Sequence, residues 1–481
     1  MMKHAPQLER SRDRTSRSTV SPHGRFVTVL TALVLLVSVL RLTPLATGCY
    51  FAVYLVANLM LLIDLLDLLL RRFFLRQHTR SAQGHDCPTS VPLDVGRFTD
   101  AQIRLHVKPY AFLVSVHNLA DQMEDFVEEM LPLRERMWII DDASTDDTAA
   151  SLQRAGFRCE EGTWSRKKPG AIRQLLRGLG PDVETILVMD PDCRLADVTM
   201  LESLERRIFE FQRSGMAAMV PRFRISDPGV LSAMQALEYD VTFSVLRKSL
   251  GDHCVTSGLS LYRRAALESV LERHDLSVYA EDLENAVILL SDKERIYYDE
   301  RLVFETASKR TWRDLFSQRV GWYFGLLHVY VTQHRRLRSF WCRDPSRAYQ
   351  FLVYTGAFAI LLHPLRLLML LVLLLSTLNG LDFVLGLDLI PDGPLTDPTH
   401  FLVAYLQFTA FMLILLFTSI RRKERMRMAP AVPVFFFYQL ALVIPTTFGY
   451  LNWLSLRFLG RRVFRDHFDS PETNGAALAS P

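Results

Sequence analysis

An α/β domain with a largely parallel sheet, set between groups of transmembrane helices, is the fold this sequence predicts, on two observations. From Ala111 onward short apolar runs alternate with amphipathic stretches, the pattern of a doubly wound sheet. On both sides of that region lie apolar runs close to the roughly 20 residues a helix needs to cross the hydrocarbon core of a bilayer.

The average composition conceals this division. Of 481 residues, 49% are hydrophobic, an ordinary value that arises because strongly apolar blocks are diluted by a mixed stretch. The net charge of +4 is small for the length, and Lys and Arg gather beside the apolar blocks. That distribution favours membrane topology and argues against nucleic-acid binding. The six cysteines (Cys49, Cys87, Cys159, Cys193, Cys254, Cys342) form no CxxC pair and read as reduced or buried thiols.

Residues 1–25 read as a basic cytosolic tail and 26–70 as a transmembrane hairpin. Phe26 to Leu40 is an uncharged run that reaches bilayer length when extended past Arg41, and Cys49 to Leu70 is the second run. A signal-peptide reading of the first run is disfavoured, because Ala46 stands where a lipoprotein cleavage box usually has Leu and a second span follows at once. Asp64 and Asp67 share a helical face and read most simply as polar residues reaching the interface beside Arg71 and Arg72. Basic residues on both flanks place the hairpin ends, and so the following domain, in the cytosol.

Residues 71–104 then form a cytosolic linker, 105–335 the α/β domain, 336–459 interfacial and transmembrane helices, and 460–481 a polar tail. The candidate C-terminal spans are Phe351 to Leu378 with Pro364 and Arg366 inside, Phe401 to Ile420, and Val432 to Leu456 with Pro445 inside. Asp382 to Asp397 is expected outside and Arg421 to Arg425 inside. The two Pro-interrupted stretches are open to reading as single spans, broken helices or re-entrant pairs. Arg461, Arg462 and Arg465 point to a cytosolic C-terminus, which asks for an even number of spans.

Within the domain, strands are expected at Ala111–Val116, Met137–Ile140, Thr185–Met189 and Met216–Pro221, and helices at Met123–Leu131 and Ala149–Ala155. Ligands in such sheets bind beyond the carboxyl ends of the strands, and two acidic clusters fall there. The adjacent Asp141 and Asp142 end one strand, while Ser144, Thr145 and Asp146 suit capping of the next helix. Asp190-Pro191-Asp192 ends another, and two carboxylates so spaced form a hard oxygen site for Mg²⁺ or Mn²⁺. A third pair, Glu281-Asp282, opens a helix, where acidic residues are also ordinary. Gln318 and Trp322 share a face of a later segment, which equally suits an amphipathic helix on the membrane surface.

Taken in order, these pieces resemble the processive family-2 glycosyltransferases, the group of the cellulose, chitin and hyaluronan synthases. The resemblance spans roughly residues 110 to 325 and rests on Val114-Ser115-Val116-His117-Asn118, Asp141-Asp142-Ala143-Ser144, Lys168-Pro169-Gly170-Ala171, Asp190-Pro191-Asp192, Ser257 to Arg264, Glu281-Asp282 and Gln318-Arg319-x-x-Trp322. It implies an A-type nucleotide-sugar-binding domain inserted between membrane helices, a UDP-sugar donor, Mg²⁺ or Mn²⁺, and inversion at the anomeric carbon. Residue by residue, it assigns Asp141 and Asp142 to the uridine, Asp190 and Asp192 to the metal and diphosphate, and Asp282 to the catalytic base. Lys168 joins the substrate site, and Gln318 and Trp322 the acceptor site. Two places depart from the family pattern. His117, Asn118 and Leu119 replace its Pro-led motif, leaving His117 to stack on the uracil or fill a polar loop. Gly321 stands where the family has Arg, so either Arg319 or another cation serves the diphosphate, or processivity is weakened.

The resemblance implies a β-linked polysaccharide, made at the plasma (inner) membrane by a cytosolic catalytic domain and passed through the bilayer, with accessory export proteins as further partners. Tyr354, Tyr405, Gln407, Tyr438, Gln439, Tyr450, Asn452 and Trp453 are the candidate lining of a channel. The nearest alternative is transfer of one sugar to a membrane lipid.

Overall fold

The computed structural model describes residues 99–195, 200–275, 279–356, 360, 363–387, 389–390, 396–397, 399–419 and 428–464. The basic tail, the 26–70 hairpin with Asp64 and Asp67, most of the linker, Arg421 to Arg425 and Arg465 lie outside them.

Eight strands form one sheet: β1 (Tyr110–Val116), β2 (Met137–Asp141), β3 (Arg158–Glu161), β4 (Thr185–Met189), β5 (Cys193–Leu195), β6 (Ala218–Arg224), β7 (Leu259–Arg263) and β8 (Ile296–Thr306), in the order β3-β2-β1-β4-β7-β6-β8-β5. Pairings among β1 to β4 are parallel, as is β6 with β8, while β7 is antiparallel to β4 and β6, and β5 to β8. The sheet is therefore largely parallel, as expected, with β5 and β7 reversed. The helical connection between β6 and β7 returns the chain to the edge it left, so β7 starts where β4 ends.

The apolar runs form strands because the sheet is covered on both faces. Along β1, Ala111 and Leu113 enter one core with Ile140, Ile186 and Val188, whereas Phe112, Val114 and Val116 enter the other with Ile139, Leu187 and Met189. This alternation between two buried faces is why the strands read as continuous hydrophobic segments.

After β8 the chain is helical: Trp312–Thr332, His334–Arg343, Pro345–Tyr354, His363–Leu385, Thr399–Ser419 and Val432–Leu459. Two stretches, Arg366–Leu385 and Ala429–Leu459, are long and apolar enough to cross a membrane, and Ala404–Phe417 is a shorter apolar segment. The stretch from Phe351 to Leu378, open to reading as a single span, a broken helix or a re-entrant pair, falls in two helices, Pro345–Tyr354 and His363–Leu385. Pro364 lies in the first turn of the second, where its missing N–H costs nothing. The other Pro-containing stretch is a single helix through Pro445, beside which the Thr446 and Thr447 hydroxyls donate to the Leu442 and Val443 carbonyls. Asp382, read as the start of a loop, is still helical and accepts bonds from the Leu389 and Ile390 amides.

Candidate active site

Because β1, β2 and β4 are parallel and in register, with Val116 opposite Asp141 and Val114 opposite Met189, their carboxyl ends share one edge. β7 enters at that edge, with Leu259 opposite Met189. His117, Asp141, Asp142, Asp190, Asp192 and the Ser257-Gly258 turn therefore converge where the sheet order switches around β1.

The first pair is buried and committed to the loops around it. Asp141 Oδ1 accepts from the Ser144 amide at 2.9 Å, and Asp142 accepts from Ser165 Oγ and the Arg166 amide, each at 2.7 Å. The His117 Nδ1–H lies 3.0 Å from the Asp142 carbonyl, which fixes the ring plane at the edge. Ser144 and Asp146, expected to cap the next helix, instead tie this loop to the end of β1 by accepting from the Asn118 and Ala120 amides, and the Thr148–Arg154 helix starts at Asp147 without a side-chain cap.

Lys168 joins the other two acidic motifs. Its Nζ lies 2.5 Å from Asp190 Oδ1 and 2.6 Å from Glu281 Oε1. Burial raises the Asp190 carboxyl to about 7, and Asp192 and Glu281 push the same way while the Lys168 ammonium opposes them. The Asp190 amide donates to the Gly258 carbonyl at 2.7 Å, and a Cβ on Gly258 would collide with Asp190 Oδ2. A side chain at this position would push the Asp190 carboxylate aside. Asp190 and Asp192 offer hard carboxylate oxygens, the donor type that Mg²⁺ and Mn²⁺ prefer.

Asp282 begins the Glu281–Ser291 helix. Its Oδ1 accepts from the Leu283 amide, its carbonyl accepts from Thr256 Oγ1 at 2.5 Å, and burial together with the Glu281 charge raises its carboxyl to about 6, against Lys168. A carboxylate tuned upward in this way suits a general base near neutral pH. The residue before the pair, Ala280, holds a left-handed φ of 53°. Among the described residues five non-glycine positions have φ in that region, and four of them (Asn118, Ala143, Lys167, Ala280) adjoin His117, Asp142, Lys168 and Glu281. For Ala and Lys such a conformation costs roughly 1–2 kcal/mol, and this strain marks the site independently of any motif.

The last motif lies on the Trp312–Thr332 helix. Arg319, expected at the diphosphate, is 2% exposed and pairs with Glu238 at 2.7 Å, and Glu238 also accepts from Tyr438 of the final helix at 2.6 Å. The Arg319 guanidinium lies 3.8 Å from the centre of the Trp322 ring, occupying one face of the indole. Gln318 and Trp322 are both half-buried. What sequence reasoning missed is Gly325, whose Cβ position would lie 2.9 Å from Ala280 and the Tyr279 carbonyl carbon. The Trp312–Thr332 helix thus backs the strained turn that presents Asp282.

A sheet edge that gathers two strand-end Asp motifs, a bridging lysine and a helix-start carboxylate defines a site for a phosphorylated ligand and acid–base chemistry. Residues 112–271 match the model of Glycosyl transferase family 2, and the protein is a glycosyltransferase. No curated protein matches the sequence. Solved structures similar to the chain include a mannosyltransferase from Pyrobaculum calidifontis in complex with GDP-Man and Mn²⁺, with 14% identity over 83% of this chain and 99% of that one and a TM-score of 0.47. Others are glucosyl-3-phosphoglycerate synthase from Mycobacterium tuberculosis with Mn²⁺, UDP and glucosyl-3-phosphoglycerate (14%, 48% and 84%, 0.32) and mannosyl-3-phosphoglycerate synthase from Rubrobacter xylanophilus (15%, 50% and 80%, 0.32).

Proposed function

We propose that the protein transfers one sugar, with inversion, from a UDP-sugar to a lipid acceptor presented at the membrane. The observation that carries the reaction is the Lys168 bridge between Asp190 and Glu281, because it brings the leaving-group carboxylates and the base turn into one site. Asp141, Asp142 and His117 shape the nucleoside pocket. Asp190 and Asp192 would hold Mg²⁺ or Mn²⁺, which supplies positive charge for the departing diphosphate. Asp282 takes the proton from an acceptor hydroxyl attacking the face opposite the diphosphate.

The choice of lipid over polymer rests on packing. Gly325 presses on the base turn, and on the same helix Val320, Tyr323 and Phe324 meet Gly449 of the apolar Val432–Leu459 helix. An acceptor from the bilayer therefore has a short route to Asp282. Four of the eight residues read as a channel lining have partners in the packing: Tyr354 with Arg247, Tyr438 with Glu238, Asn452 with the Val463 and Phe464 amides, and Tyr450 stacked on His363. One feature favours the polymer reading: Trp322, half-buried on the helix that backs the base turn, is the kind of side chain that stacks on a sugar ring.

Membranes containing the full chain, supplied separately with radiolabelled UDP-glucose, UDP-N-acetylglucosamine, UDP-glucuronate and GDP-mannose, test this. Label from one UDP-sugar should enter the organic-solvent extract as a lipid bearing a single sugar. Label in long, solvent-insoluble chains would establish the polymer reading instead, and transfer from GDP-mannose alone would exclude the uridine donor.

A further inference from the structure

We propose a second divalent-metal site, formed by His274, Asp275 and Glu284, that fastens the helix carrying Asp282 to the helix carrying Trp322. His274 and Asp275 follow the Arg264–Arg273 helix, and Glu284 lies in the first turn of the Glu281–Ser291 helix. One ligand atom from each of the three lies within 4.8 Å of the others. The His274 and Glu284 side chains have no solvent exposure, while Asp275 is 31% exposed. A tetrahedral ion with bonds of about 2.1 Å holds its ligands roughly 3.4 Å apart, so a small inward turn of the exposed Asp275 closes the set.

The independent mark of a ligand is Glu284 Oε2. The other oxygen, Oε1, accepts from Gln333 Nε2 at 2.6 Å and from the Asp275 amide at 3.2 Å. Oε2 is buried and makes no hydrogen bond, and it faces His274 Nε2 at 3.3 Å. A buried carboxyl oxygen without a hydrogen bond is costly to desolvate, and a cation bound there would offset that cost. Supporting groups of the kind that orient metal ligands are also present: Gln333 on Glu284, and His328 Nε2 2.9 Å from Asp275 Oδ2. One imidazole and two carboxylates suit Zn²⁺ better than Mg²⁺. Because His328 and Gln333 flank the end of the Trp312–Thr332 helix, the ion would lock the two helices whose contact at Gly325 and Ala280 presents the base.

Zn²⁺ is the probe. The detergent-purified full chain is stripped with chelator and dialysed against Zn²⁺ alone, and its metal content and thermal midpoint are then measured. Wild type and Asp192→Ala, the latter lacking a carboxylate of the diphosphate motif, should each retain one tightly bound Zn²⁺ and melt higher with it. Glu284→Gln and Asp275→Asn should bind at least tenfold more weakly and lose the Zn²⁺-dependent rise. Asp275 is partly exposed, so its variant remains informative if Glu284→Gln fails to fold. Equal Zn²⁺ content in wild type and a folded Asp275→Asn or Glu284→Gln variant would overturn the proposal. So would a wild-type chain that binds no Zn²⁺, which would leave His274 and Glu284 as a buried pair in contact with no ion between them.

Discussion

Replacing Asp282 by Asn removes a charge that folding must desolvate, and it should stabilise the protein while stopping turnover. The carboxyl moves from 3.8 to about 6 on folding, mainly through burial. At about 1.36 kcal/mol for each pH unit, ionised Asp282 opposes folding by up to about 3 kcal/mol, less what solvent screens at this half-buried position. The sign follows from a folded-state value above the unfolded one. Below pH 3.8 the carboxyl is protonated in both states and the variants should be equally stable. The wild type should fall behind as pH rises from 3.8 to about 6, and the gap should stay constant above that. For a domain of this size each kcal/mol is worth roughly 2 to 4 °C, so the Asn variant should melt up to roughly 12 °C higher at pH 8, with little difference at pH 4. Turnover should drop by on the order of 10²-fold or more, because an amide cannot accept the proton. Thermal melts of the detergent-solubilised full chain across this pH range, paired with a UDP-release assay, read both quantities. An Asn variant that melts below wild type at pH 8, or keeps its turnover, would refute the assignment of Asp282 as a buried, ionised base.

Lys168→Met should move the acid limb of the kcat/KM profile upward from near 6, and Glu281→Gln should move it downward, since the ammonium lowers and the carboxylate raises the Asp282 value; shifts in the same direction would dissolve the bridge account. Gly325→Ala forces a methyl against Ala280 and should lower kcat by displacing the base turn, with the donor KM nearly unchanged, whereas a donor defect alone would contradict this. Arg319→Ala strands the buried Glu238 and should cost about 3 to 5 kcal/mol of stability, partly restored by Glu238→Gln in the double variant. Full stability with a raised donor KM would instead return Arg319 to the diphosphate.

The strands that form the site edge were legible because β1, β2 and β4 are buried on both faces and carry apolar runs, β2 and β4 ending at once in their acidic residues. β8 was not, since Asp299-Glu300-Arg301 interrupts its pattern where the pairing register with β6 shifts. Nothing in a linear pattern orients β7, so the mixed character of the sheet appears only in the fold. The carboxylates of the site were legible as motifs, but their supports were not. Glu238 meets Arg319 across 81 positions, and Gly325 matters only because the Tyr279-Ala280 turn lies against it. Gly321 drew attention as a missing Arg, yet it is buried in the helix beside an arginine that already has an internal partner.

The central claim is that Asp190 and Asp192 hold a divalent cation against a sugar-donor diphosphate. Its most direct test is UDP release by the purified full chain after chelator treatment, with Mn²⁺ or Mg²⁺ added back, in wild type and Asp192→Ala. The account predicts that wild-type release stops in chelator and returns with metal, while Asp192→Ala folds normally but stays inactive or needs far more metal. Undiminished release by the wild type in excess EDTA would contradict it.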